Sequence, residues 1–147
     1  METKHIFLLF TTLLCWYSLG VSVLLQFVAY PSYKLVGDKE FVPFHVFFGK
    51  KLLIASVMPM ILTNLLTFIL VFYHPDTVPM GLVYITAICS GIILFTTMKY
   101  EVPKHQELDK VGKSEAGIDY LIQNNLPRTI CWTVAALSLG YMVFKTF

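Results

Sequence analysis

The sequence predicts an all-α protein: one domain over residues 1–147, an antiparallel bundle of four transmembrane helices with both termini on the non-cytoplasmic side. Three observations point there. Hydrophobic residues make up 56% of the chain and charged residues only 14%, whereas a soluble domain carries nearer a quarter charged residues. Charge-free apolar runs recur at Ile6–Val28, Leu52–Tyr73, Met80–Met98 and Thr129–Phe144. Three of them approach or exceed the roughly 20 residues that cross a ~30 Å hydrocarbon core, and the fourth is somewhat shorter. Of the 11 basic residues, Lys34, Lys39, Lys50, Lys51, Lys99, Lys104, Lys110, Lys113 and Arg128 flank the first and third connections, leaving Lys4 and Lys145 for the other side. Basic residues near helix ends stay in the cytoplasm.

The first helix is expected over about 6–28. Its apolar run is too long for a signal-peptide core of roughly 7–15 residues, so it is expected to remain uncleaved. Ser18 and Ser22 share one face at i, i+4, as closely packed membrane helices prefer. The second helix, about 44–73, follows Pro43, which places His45 near its start. A helix N-terminus disfavours imidazolium, so a neutral ring is expected there. Thr63, Asn64 and Thr67 fall near mid-membrane, where an amide needs a partner; Asn64 is expected to bond a neighbouring helix.

"HPDTVP", from His74 to Pro79, is a turn that stops the second helix and starts the third, about 80–101. Pro103 biases Val102 away from helical geometry and closes that helix. The fourth helix is expected over about 121–146. The segment before it carries Ile118, Leu121 and Ile122 at helical spacing and either lies on the membrane or extends that helix. Cys15, Cys89 and Cys131 fall inside helices at different depths and read as small packing residues. Tyr30, Tyr33, Phe41, Phe44 and Tyr100 crowd the basic side, where rings favour the headgroup layer as anchors.

Threading four spans brings Gln26, His45, Glu101, His105, Asn124, Arg128 and Trp132 to one membrane face. Glu101 and Arg128, at the ends of helices three and four, each carry the charge that the helix dipole disfavours, and an ion pair relieves both. His45, His105 and Arg128 are the candidate catalytic residues: an imidazole as proton acceptor and a guanidinium to hold a developing oxyanion. Gln26, Asn124 and Trp132 are the candidate substrate-binding residues. His45, Glu101 and His105 supply the two imidazoles and one carboxylate of a non-haem iron triad, or a site for another transition metal; a site with no cofactor is the alternative.

The segments "VPKHQEL" and "NNLPRTICW" resemble those of the anthrone-oxygenase-like family of small four-helix membrane proteins, most of them of unknown function. His105 stands where that family's pattern has an asparagine. The resemblance implies a membrane-embedded oxidoreductase or oxygenase that oxidises a flat apolar molecule with dioxygen and no obvious organic cofactor. The expected partners are membrane lipid, an apolar small molecule and further copies of the chain in a homo-oligomer, with no nucleic acid. The expected home is a bacterial inner membrane. A non-catalytic scaffold, a small transporter-like subunit or a lipid-binding subunit is the competing reading, since the spans hold no charge at mid-membrane.

Overall fold

The computed structural model describes residues 2–147, and among them every regular element is helical. Four long helices are apolar enough to cross a membrane: α1 (Thr3–Leu35), α2 (Asp38–Leu70), α3 (Met80–Val111) and α4 (Glu115–Thr146). Each packs on two neighbours, in the cyclic order α1, α2, α3, α4.

All four helices differ in extent from the sequence expectation. α1 runs seven residues past 28, to Leu35. α2 starts at Asp38 rather than 44 and ends at Leu70 rather than 73. Asp38 and Glu40 lie in its first turn, where carboxylates complement the positive helix end. The largest difference is at Pro103: α3 continues through it to Val111, with Val102 itself in right-handed helical geometry. Gly112, at φ 92°, ends α3 in a backbone conformation that suits only glycine. Two residues later Ser114 caps α4, its hydroxyl accepting from the Gly117 N–H. The segment before 121 therefore belongs to α4. Lys113 bridges the junction by donating to the carbonyl oxygens of Lys34 and Val36 at the end of α1.

The helix passes Pro103 by widening. Three π turns interrupt the α geometry, at Leu25–Ala29, Leu53–Val57 and Thr97–Glu101. Pro31, Pro59 and Pro103 each follow the end of one of them by two residues. A proline has no N–H and crowds the carbonyl four residues earlier, here that of Phe27, Ala55 or Lys99, the middle residue of each π turn. Widening the turn moves that carbonyl aside. The freed Ala55 oxygen finds a donor in the Tyr17 hydroxyl, at 2.8 Å.

The bundle is polar inside and apolar outside. Leu13, Phe27, Ile54, Ile88, Phe95, Ile130 and Leu137 are each more than half exposed, whereas Thr11, Ser18, Ser22, Thr63, Thr67, Thr86, Ser90 and Thr129 are buried. Small hydroxyl residues let membrane helices approach closely and bond across their contacts. Ser18 meets Thr63, Thr67 meets Ser90, and Ser22 meets Thr129. Asn64 departs from expectation: its amide donates to Met60 O of its own helix, and its buried carbonyl has no partner. All three cysteines are free thiols.

Two apolar clusters fill the rest. One, around Leu8, Leu70, Ile93, Trp132 and Leu139, lies toward the end where Lys4 contacts Asp76 and Thr77 contacts Thr146. The other, around Tyr33, Phe41, Leu108, Ile118 and Leu121, binds the extensions of α3 and α4 to α1 and α2. Tyr30, Tyr33 and Phe41 are buried, not anchors in the headgroup layer, because the extended helices cover them. Leu108 is the test of this second cluster. Leu108→Ala should lower unfolding free energy by about 2–5 kcal/mol, read by denaturant titration in detergent; a loss below about 1 kcal/mol, within the range of surface changes, would show that the extension is not held by packing.

Candidate functional site

Polar groups around Tyr30 of the second cluster form one connected chain. Asp109 Oδ1 lies 2.6 Å from His45 Nδ1, and His45 Nε2 lies 3.0 Å from His105 Nδ1. His105 Nε2 lies 3.3 Å from the Tyr30 hydroxyl, which donates to Glu101 Oε2 at 3.0 Å. The same carboxylate oxygen lies 3.4 Å from Arg128 Nη1. Arg128 donates onward to Asn125 Oδ1, and Asn125 Nδ2 donates to Gln26 Oε1 and to Ser22 O. All four helices contribute.

Local structure sets each position. Glu101 closes the α3 π turn, and His105 follows one turn later on the same face, so both reach Tyr30 of α1, the helix diagonal to α3, across the centre of the bundle. His45 does not sit at a helix start, because α2 begins seven residues earlier at Asp38. It is instead enclosed by rings: Phe41 stacks on one side at 5.3 Å and His105 lies nearly parallel at 5.0 Å, with Tyr33 edge-on. The expectation of a neutral ring at a helix N-terminus loses its basis.

The ion pair between Glu101 and Arg128 is present, and its side chains are 3% and 7% exposed. Its cause differs from the one the sequence suggests. Neither residue is at a helix end, so the pair answers desolvation rather than helix dipoles: each charge buried alone would be heavily destabilising.

One arrangement of protons that satisfies the chain starts from Tyr30 as the donor to Glu101. With Tyr30 donating to Glu101, His105 reaches the phenol oxygen as a donor at Nε2. Its Nδ1 then accepts from His45 Nε2–H. The short contact from His45 Nδ1 to Asp109 needs one further proton, shared between ring and carboxylate. In that arrangement every donor from His45 Nε2 inward points toward Glu101.

Beside this chain lies a cavity of about 210 Å³. α2 and α3 pack together on both sides of their π turns and part at the turns themselves, leaving the space between them. Tyr30, Glu101, His105 and Arg128 form its inner wall. Gly49, Leu53, Val102 and Gln106 form an exposed rim, together with Asp109, whose side chain is 40% exposed. Glu101 Oε1 and Arg128 Nε, both on residues of that wall, have no hydrogen-bond partner.

The sequence-predicted residues divide as follows. His105, Glu101 and Arg128 line the cavity; His45 lies behind His105. Gln26 holds Asn125 and also donates to Ile122 O, away from the cavity wall. Asn124 points elsewhere, donating to Tyr120 O on its own helix; the neighbouring Asn125 takes the place expected for it. Trp132 does not line this cavity and is not an interfacial anchor; it belongs to the buried core and borders a much smaller space that it shares with Arg128. His45, Glu101 and His105 do not converge: Tyr30 separates Glu101 from His105, and each imidazole nitrogen faces a side-chain partner. Among the described residues no group of three His, Cys, Asp or Glu side chains could hold a metal ion. That geometry gives the iron triad no support.

Tyr30, Asp109 and Asn125 were not singled out from the sequence as site residues. Asn125 lies on the Arg128 face, at i and i+3, a spacing that identifies it once Arg128 is accepted as inward. Nothing local marks Tyr30 or Asp109.

Compared with models of known families, with curated proteins and with solved structures, the chain matches none of them.

The ion pair makes a prediction. Arg128→Met, which strands Glu101, should destabilise the protein by about 3–5 kcal/mol, and adding Glu101→Gln should restore most of that loss. Additive effects in a denaturant-based double-mutant cycle would show that the two charges are not coupled.

Proposed function

We propose that this chain is a membrane-embedded oxidoreductase, of the oxygenase kind implied by its resemblance to the anthrone-oxygenase-like proteins, acting on a flat apolar molecule taken from the lipid. The observation that carries the reading is the cavity: it opens between two helices whose outer faces are apolar, and its inner wall holds a carboxylate, an imidazole, a phenol and a guanidinium. An apolar pocket with a few converging polar groups is the usual form of a small-molecule site.

Each group has a role in this reading. Glu101 Oε1, buried and unpartnered, takes a proton from an acidic C–H of the substrate; the electron pair of that bond stays with the substrate as an enolate. Arg128 holds the enolate oxygen. Dioxygen takes one electron from the enolate and the two radicals join in a C–O bond; the peroxide anion so formed takes back the proton from Glu101, and the hydroperoxide loses water to leave a ketone. His105 and Tyr30 orient and polarise Glu101, and His45 supports His105 from behind. In this reading the site lies on the cytoplasmic side of a bacterial inner membrane, with the helices antiparallel and both termini opposite; the basic residues at this end support that orientation, since such residues near helix ends stay in the cytoplasm.

Oxygen consumption by protein in nanodiscs, with a panel of planar hydroxylated aromatic ketones, tests the chemistry. Tyr30→Phe and His105→Gln should lower turnover roughly 10²–10⁴-fold, the range for a positioned acid–base group, while leaving the thermal transition close to the parent's. Equal turnover by parent and variants, or none by the parent, would count against the reading. Topology is separable. With Cys15, Cys89 and Cys131 replaced by Ala, Asp76→Cys should react with an impermeant maleimide added outside cells and Lys39→Cys should not; the reverse pattern would invert the proposed orientation.

A further inference from the structure

We propose that Asp109, His45, His105, Tyr30 and Glu101 form a proton conduit, through which an anion entering the cavity is accompanied by a proton drawn from water at Asp109. The inference rests on the cavity being the binding site and says nothing of the reaction that follows.

The geometry carries it. The chain has four links, all between 2.6 and 3.3 Å. Its outer end, Asp109, is exposed at the cavity rim, and its inner end, Glu101, is buried. The intermediate members are an amphoteric pair of imidazoles and a phenol, each able to accept a proton at one atom while releasing another. The packing of His45 between Phe41 and His105 holds the rings in register. No other titratable group interrupts the sequence. Facing Glu101 are Tyr30 from α1, Arg128 from α4 and, through Tyr30, His105 of its own helix. Facing His45 are Asp109 and His105 from α3 and Tyr33 from α1, whose buried hydroxyl has no hydrogen-bond partner.

The transfer balances without redox change. The proton on His45 Nε2 passes to His105 Nδ1, that on His105 Nε2 passes to the Tyr30 oxygen, and the Tyr30 proton passes to Glu101 Oε2. Glu101 gains one proton and becomes neutral, and His45 loses one and keeps the proton on Nδ1 facing Asp109. Water at the rim then resupplies the pair.

Arg128 supplies the coupling. A neutral Glu101 leaves the buried guanidinium without a counter-ion, an unfavourable state unless an anionic oxygen in the cavity replaces the carboxylate. Arg128 lines the cavity, and its Nε, buried and unpartnered, is a donor that the fold itself leaves unused. An occupant's negative charge and the proton on Glu101 therefore favour each other.

The experiment mixes 2-naphthoate, a flat aromatic anion, with the full-length protein in weakly buffered detergent solution containing a pH-indicator dye. Calorimetry in two buffers of different ionisation enthalpy counts the protons. The parent should take up about one proton per naphthoate bound. Tyr30→Phe and Asp109→Asn should take up the same number, but roughly a hundredfold more slowly, the low end of what a positioned proton donor contributes. Glu101→Gln should bind naphthoate with no uptake; should that variant fail to fold, the two rate measurements decide alone. Failure of naphthoate to bind the parent, binding without proton uptake, or unchanged rates in both relay variants would each overturn the conduit. Because no turnover is measured, a working conduit with no oxygen consumption would separate this inference from the proposed reaction.

Discussion

One ion pair constrains the whole bundle. Glu101 and Arg128 are buried at 3.4 Å, and at that depth neither charge is tolerable without the other. Their surroundings come from every helix: Tyr30 and Gln26 from α1, Met60 from α2, Asn125 from α4 and Glu101 itself from α3. A slip of any helix by one residue rotates its polar member out of this cluster by about 100°. The pair therefore fixes helix register, which apolar contacts alone, with similar side chains facing lipid and interior, leave loosely specified. Small hydroxyl contacts such as Ser22 with Thr129 set the spacing that lets the pair form.

The same cluster depends on three prolines. Pro31, Pro59 and Pro103 each force a widened turn, and these turns supply Leu25, Leu53, Val57, Thr97 and Glu101 to the cavity wall. A continuous α-helix through Thr97–Glu101 would aim Glu101 in another direction, since the extra residue in a π turn advances every later side chain around the axis. What looks locally like a helix-breaking feature thus positions the carboxylate and opens the space beside it.

This explains what was legible in the sequence. Four membrane-spanning helices followed from charge-free runs, because hydrophobic length is a property of consecutive residues. The Glu101–Arg128 pair was also legible, although through helix dipoles at helix ends, whereas both residues lie inside longer helices and pair because they are buried. The end of α3 differs from the sequence expectation because Pro103 reads as a stop: a proline terminates a helix only when the backbone cannot adjust, and in lipid an unsatisfied backbone costs more than a π turn. The true stop signal, Gly112 followed by Ser114, lay nine residues further on, in a stretch polar enough to pass for a loop. Tyr30 was read as an interfacial ring because its burial depends on α3 and α4 extending past the apolar spans. Asn124 and Asn125 are adjacent, and choosing between them needs the rotation of α4 to within a fraction of a turn.

The arrangement also explains why charged chemistry can persist inside so apolar a molecule. The polar chain is separate from the hydroxyl pair of Thr67 and Ser90, where Thr67 also donates to Asn64 O. It begins at the exposed carboxylate of Asp109 and steps inward, each member satisfying the next, until it reaches a carboxylate with one oxygen bonded and one free. A fully satisfied network would be a structural brace, and the orphaned atoms distinguish this one. Glu101 Oε1 and Arg128 Nε, both on residues that line the cavity, remain buried and without partners, and a buried unmade hydrogen bond is destabilising by about 1–3 kcal/mol. A fold that carries one such acceptor and one such donor on an ion pair beside a cavity retains there hydrogen-bonding capacity that its own side chains leave unused.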